Sequence, residues 1–290
     1  MSVNGFLIVD KAGGMTSHDV VAKLRKRFAT KKIGHAGTLD PMATGVLVLG
    51  IGSATRLLQY VTDGLKEYNA TIRLGASTHT DDREGEVLST STTSHIQNAE
   101  IISTLHKFLG KIQQKPSSVS AIKIDGKRAH ERVRDGESVD IPAREVEIHE
   151  LEISEITRIN EFIDVKVRVQ CSAGTYIRSI ARDLGEALKV GGHLTELRRT
   201  LVSPFLIGES LDWESAEPIS VAEGISRILP TRNLDLAEMV EISFGRYLSP
   251  STETGPVAAL SLVGDFAALL ENKDVSGKSV AAPILVAVKE

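Results

Sequence analysis

Residues 31–45 read KKIGHAGTLDPMATG, and Asp40 is their only carboxylate. A carboxylate with an ordinary pKa of about 4 is ionised at neutral pH, so Asp40 can serve as a nucleophile without a metal. Pro41 disfavours helical geometry in the residue before it and predicts an extended Asp40 at the tip of a loop. Gly34, Gly37 and Gly45 allow sharp turns and the close approach of another chain. His35 and the preceding Lys31 and Lys32 fit a site approached by a phosphate backbone. The same composition also suits a structural turn in which the acid caps backbone amides, and the loop alone leaves both readings open.

From Val20 to Leu39 the chain carries Lys23, Arg25, Lys26, Arg27, Lys31 and Lys32 and no acid. Such a run is either a solvated helix face or a surface that tracks phosphates by displacing counterions. A second run, GKRAHERVR, sets Lys127, Arg128, Arg132 and Arg134 against Glu131 alone. Other chemistries find less support. Gly50 and Gly52 follow an apolar run as in a dinucleotide-binding turn, but the third glycine position is Thr55. The chain has no Gly-x-x-x-x-Gly-Lys-Ser/Thr phosphate loop and no Gly-x-Ser-x-Gly nucleophile turn. Its eight histidines lack metal-ligand spacing, and neither a metal nor a cofactor is expected.

These residues need a scaffold, and 290 residues are enough for a sizeable core. Hydrophobic content of 41% with 25% charged residues is ordinary for a soluble globular protein. The net charge of −4 argues against a uniformly basic nucleic-acid binder, although recognition depends on where the charges lie. Cys171 is the only cysteine, so no internal disulfide can form and a reducing, cytoplasmic setting is expected. The apolar run at Phe6–Val9 is too short for a signal peptide, and no run reaches membrane-spanning length.

GFLIVDKAGG predicts a buried strand entering a Gly-rich turn, with Ser17 capping a helix that buries Val20, Val21, Leu24 and Phe28. GVLVLGIG predicts a central strand, and EYNATIRLG and EFIDVKVRVQC predict alternating ones. TDDREGEVLST reads as a polar turn before an edge strand. Residues 96–109 have helical periodicity, and TYIRSIARDLGEALKVGG predicts a helix ending at Gly191. After Pro230, short apolar runs between turns predict a small β-rich module. The expected division is therefore 1–232 and 233–290.

GHAGTLDPMATGVLVLGIGSATRLLQY closely resembles the signature of the bacterial tRNA pseudouridine synthases that modify uridine 55 in the T-loop. DKAGGMTS, KEYNATIRLG, PSSVSAIKIDGKRAHERVRDGE and CSAGTYIRSIARDLGEALKVGGHLTELRRTLVSPF resemble further blocks of that family, in family order over most of residues 4–205. Ala12 stands where the family usually has proline, His79 where it commonly has aspartate, and His130 where it usually has tyrosine. None of these departures falls on the core catalytic set.

The resemblance implies an α+β fold. Its catalytic domain has a central mixed, largely antiparallel sheet flanked by helices, and residues 233–290 resemble, by position, a small PUA-like RNA-binding module. It implies that Asp40 attacks the target nucleotide, at the ribose or at the base, or follows abstraction of a ribose proton. Arg178 matches the arginine that pairs with that carboxylate. Tyr68 matches the residue that stacks on the flipped base and takes part in proton transfer from C5. Tyr176, His35 and Leu197 correspond to substrate-contacting residues, and Lys11, Lys31 and Lys32 are further substrate-binding candidates. The implied partner is the T-stem-loop of tRNA, bound by a monomer without guide RNA, cofactor or membrane. Rival readings are a guide-RNA-dependent relative, a tRNA-folding chaperone without essential catalysis, and a dinucleotide-dependent oxidoreductase. Asp40, Tyr68 and Arg178 together favour the enzyme, because a pure binder does not need that set.

Overall fold

A computed structural model describes residues 3–117, 123–124, 127–128 and 141–287. Strand β1 (Gly5–Lys11) leads into a helix (Ser17–Arg27), then β2 (Ile33–Ala36), the Asp40 loop and β3 (Thr44–Ile51). After a short helix (Leu58–Thr62) come β4 (Lys66–Leu74), a hairpin of β5 (Ala76–Thr78) and β6 (Val87–Thr90), a helix (Asn98–His106) and β7 (Gly110–Gln114). Two-residue strands β8 (Lys123–Ile124) and β9 (Lys127–Arg128) pair with each other. A long hairpin, β10 (Arg144–Ile159) and β11 (Phe162–Cys171), is followed by the Ile177–Ala187 helix, β12 (Gly192–Val202) and β13 (Phe205–Leu206).

The central sheet runs β1-β3-β12-β4-β11-β10-β7, with β2 paired to β3 and β13 to β12. Every pairing in it is antiparallel except β12 with β3, which makes the sheet mixed. This is the α+β architecture expected. The parallel contact sets Arg199 beside Gly45, whose φ is +101° and whose missing Cβ would lie 2.1 Å from the Arg199 carbonyl oxygen. The close approach allowed by Gly45 is thus made by the protein's own strand.

Alternation on β4 and β11 sends Tyr68, Ala70 and Ile72 with Val165, Val167 and Val169 into one core, against Val20 and Leu24 of the first helix and Ile180 and Leu184 of the later one. Each fully buried Val, Leu or Ile among them contributes about 1.5–3 kcal/mol. Thr16, not Ser17, caps the first helix, in a reciprocal box with Asp19. Ser17 is buried and points to the Asp40 loop instead. The later helix ends at Ala187, before Gly191, because the chain already reverses at Lys189 with φ +58°. Gly185 then packs against Gly192 so closely that a Cβ would fall 2.1 Å from its nitrogen.

Residues 231–286 form a four-stranded sheet: β14 (Thr231–Asn233), β15 (Val257–Leu260), β16 (Phe266–Val275) and β17 (Lys278–Val286). The expected β-rich module also holds a helix (Leu236–Ser243) started by an Asp235–Glu238 capping box, a signal the turn-based reading passed over. Ala258 and Leu269 join Phe6, Val46, Val48 and Phe205 in one apolar cluster, so this sheet is packed onto the first. Of the second basic run, residues 129–134 lie outside the described residues, and of Lys127 and Arg128 only the backbone is described. Among the described residues no helix is long and apolar enough to cross a membrane.

Candidate active site

The Asp40 loop is tied down from three sides. Ser17 Oγ accepts from Leu39 N at 2.9 Å and donates to Leu39 O at 3.2 Å. Gly14 N donates to Pro41 O at 2.9 Å. Lys11, 1% exposed, donates to the carbonyls of Ala12, Met15 and Pro41 at 2.9, 2.7 and 3.3 Å. A turn closed by Ala43 N on Asp40 O then directs the carboxylate into a cleft of about 340 Å³. That volume suits one small ligand.

Arg178, near the start of the Ile177–Ala187 helix and 4% exposed, meets Asp40 with two nitrogens. Its Nη2 donates to Oδ1 at 3.0 Å and its Nε lies 2.9 Å from Oδ2, a forked ion pair with its hydrogen bond through Nη2. Its Nη1 donates to Thr80 O at 2.8 Å and lies 3.6 Å from Asp82 Oδ2. Asp82 is itself buried and accepts from Thr80 Oγ1 and Glu84 N. The guanidinium therefore serves two carboxylates, and the acid that stands alone in its own loop does not stand alone in space. Arg182, one turn on, pairs with Asp81 and Asp183.

The Asp40 side chain keeps 32% of its surface open to the cleft. Even so, burial pushes its carboxyl above the usual range, Arg178 pulls it back, and Asp82 adds to the rise. The ordinary pKa expected from the sequence is corrected upward, and Arg178, with a smaller contribution from Lys11, favours the ionised form.

Tyr68, Tyr176 and Leu197 line the same cleft as Asp40 and Arg178. Gln114, 1% exposed, clamps the backbone of Tyr176 by accepting from its N at 2.7 Å and donating to its O at 3.0 Å. Arg144 stacks over the Tyr176 ring at 5.1 Å and donates to Gly174 O. Two cations missed by the sequence reading, Lys66 and Arg199, complete the wall beside Tyr68. Burial pushes the Tyr68 phenol up and the Lys66 ammonium down to about 8. The signals available for the missed residues were slight: paired Asp81–Asp82 before a glycine turn, paired Arg198–Arg199 on a strand, and for Gln114 none.

His35, Lys11, Lys31 and Lys32 are not among the residues lining the cleft. His35 lies on β2 with its ring edge-on to His18 at 5.4 Å, and burial lowers its pKa to about 4. Its buried position gives Lys11 an internal role, bracing the loop, in place of the substrate contact expected of it. Lys31 and Lys32 are exposed on the turn before β2. Within the basic run, Lys23 sits over the Trp213 ring, Arg25 donates to Ile33 O, and Arg27 pairs with Glu217 and donates to Trp213 and Ala216 carbonyls. Half of that run is thus engaged in holding the fold.

The family model for the N-terminal domain of TruB family pseudouridylate synthases matches residues 25–177, and that for the tRNA pseudouridylate synthase B C-terminal domain matches residues 178–218. A tRNA pseudouridine synthase B of Corynebacterium glutamicum (strain R) is 51% identical over 274 residues, covering 93% of this chain and 92% of its own length. That of Nocardia farcinica is 50% identical over 289 residues, with 98% and 93% covered. Among solved structures, a chain of an H/ACA ribonucleoprotein bound to a substrate RNA containing 2′-deoxyuridine superposes with a TM-score of 0.70 at 26% identity, over 97% of this chain and 84% of that one. A chain of a Cbf5–Nop10–Gar1 complex gives 0.67 at 27% identity, over 99% and 84%.

Proposed function

The chain belongs to the TruB family of pseudouridylate synthases, and on that premise we propose that it isomerises uridine 55 of the tRNA T-loop with Asp40 as nucleophile. It is a tRNA pseudouridine synthase, an isomerase. The observation that carries the assignment of Asp40 is the Arg178 fork on a carboxylate facing a cleft walled by Tyr68, Tyr176 and Leu197.

The reaction breaks the bond between ribose C1′ and uracil N1, turns the base and rejoins it through C5. Asp40, oriented and kept ionised by Arg178, supplies the nucleophile. Attack at the ribose, attack at the base and prior removal of a ribose proton all use this carboxylate in the same place. Tyr68 faces the base and takes part in proton transfer from C5, while Tyr176 and Leu197 hold the ring and exclude water that would release free uracil. A uridine inside a folded loop must be flipped out, at a cost of a few kcal/mol regained by stacking and hydrogen bonds. His35 and the exposed Lys31 and Lys32 fit the outer RNA surface better than the cleft.

The proposed enzyme acts as a monomer in the cytoplasm, without cofactor or guide RNA. Residues 233–290 form its PUA-like RNA-binding module, a proposal supported by the separate four-stranded sheet. The deciding experiment incubates purified protein with an unmodified tRNA transcript alone and maps pseudouridine. Binding without product at the T-loop uridine would overturn the enzyme reading in favour of a chaperone. Product that required an added guide RNA would overturn the stand-alone reading.

A further inference from the structure

Among the described residues, the most deeply buried cation of the cleft has no acid within ion-pair distance. Arg199 is 1% exposed and is the largest fully buried side chain among the described residues. Its Nε donates to Val46 O at 2.7 Å and its Nη2 to Gly37 O at 2.9 Å. Among the described residues no carboxylate lies within ion-pair distance of it, unlike Arg178, which faces two. Its Nη1 lies 3.3 Å, and the Cε of Lys66 3.6 Å, from the point where a Gly37 Cβ would fall. Two cations thus share one wall. Burying a charge without a partner costs several kcal/mol, and carbonyl contacts offset only part of that.

Tyr68 stands directly opposite Arg199 in the β4–β12 register, and both side chains line the cleft. A preorganised positive site with no resident anion is suited to a negative charge that exists only during the reaction. We infer that Arg199 stabilises the phenolate of Tyr68 and so enables Tyr68 to take the proton lost from uracil C5. This rests on the pseudouridine synthase reading above. Arg199 acts through Tyr68 and is a positioning residue.

The step balances as follows. Once the base has rejoined the ribose, C5 carries the new carbon–carbon bond and its original hydrogen. The C5–H bond breaks, its electron pair restores the C5–C6 double bond, and the proton passes to the Tyr68 oxygen. The phenol has earlier released its own proton to solvent, and N1, freed from the ribose, gains one from solvent. Uracil exchanges a hydrogen at C5 for one at N1, and no oxidant is needed. Burial chiefly opposes ionisation of Tyr68, with Cys171 and Asp40 adding to the rise, and Arg199 is the group that counters it. Lys66, held on the carbonyls of Thr62 and Gly64 at 2.7 Å each, stands on the same wall of the cleft.

The test compares wild type, Arg199→Lys and Arg199→Gln in single turnovers on T-loop transcripts whose target uridine carries hydrogen or deuterium at C5. RNA affinity and thermal unfolding are followed in parallel. Wild-type product on the undeuterated transcript decides the underlying reading separately. Arg199→Gln is expected to slow turnover by about 10²-fold, with Arg199→Lys in between and RNA affinity kept. Both should show a larger C5 isotope effect than wild type and need higher pH for full rate. Slowing without a larger isotope effect would overturn the inference and leave Arg199 as a brace of the Gly37–Asp40 loop; unchanged turnover would also overturn it. Should neither variant fold, wild type made with 3-fluorotyrosine decides. A more acidic phenol should move its pH–rate limb to lower pH, and an unmoved limb would overturn the role of the phenolate.

Discussion

Arg178 holds Asp40 by both carboxylate oxygens, at 2.9 and 3.0 Å, across 138 residues of sequence. The same guanidinium reaches Asp82 at 3.6 Å, so the orientation and the charge of the nucleophile depend on one side chain shared between two acids.

Asp40→Asn should lower single-turnover pseudouridine formation by at least about 10³-fold while leaving tRNA affinity nearly unchanged, because the amide keeps the shape and loses the nucleophile. Turnover within tenfold of wild type would remove Asp40 from that role.

Arg178→Lys keeps a positive charge but cannot make the fork, and activity should fall by about 10²-fold with the fold retained. Arg178→Ala should in addition destabilise the protein by about 3–5 kcal/mol in urea unfolding, since it strands the buried Asp82. Equal stability of the two variants would show that Asp82 does not rely on this pair.

Burial raises the Asp40 carboxyl, and Asp82 adds to the rise. Activity should therefore fail on the acid side at a higher pH than an ordinary carboxylate gives, and Asp82→Asn should move that limb to lower pH. The stability linkage has the corresponding sign: the folded protein binds this proton more tightly than the unfolded chain. Wild type should gain stability relative to Asp40→Asn as pH falls through the raised pKa. Parallel pH–rate and pH–unfolding series check both signs.

Ser17→Ala should cost about 1–3 kcal/mol in denaturant unfolding, because it leaves the buried Leu39 amide without its acceptor. Catalysis should fall through kcat more than KM, since the loop that carries Asp40 loses its anchor. A loss confined to KM would place the effect in RNA binding.

Neutralising Lys26, Lys31 and Lys32, which are exposed and outside the Trp213 contacts, should flatten the dependence of log affinity on log salt by up to about 2–3 in slope. Arg27→Gln should instead lower the unfolding midpoint, as Arg27 ties the first helix to Glu217. An unchanged salt slope in the triple variant would mean those lysines only face solvent.

The sequence by itself determined the alternating strands, the Pro-set loop and the identity of the acid at its tip, because periodicity and turn chemistry act over a few residues. The motif match also carried Arg178, Tyr68, Tyr176 and Leu197 to one cleft. Only the tertiary structure decided that Asp82 shares Arg178, that Lys11 turns inward, and that Arg199, held on backbone carbonyls, lies beside Tyr68. It also raised the carboxyl of Asp40 above the value its type suggests. Desolvation and long-range pairing depend on strand register and on what packs over each group, and no local spacing encodes either. The loop around Asp40 was legible as a turn with an acid; its burial and its partner came from strands and helices far along the chain.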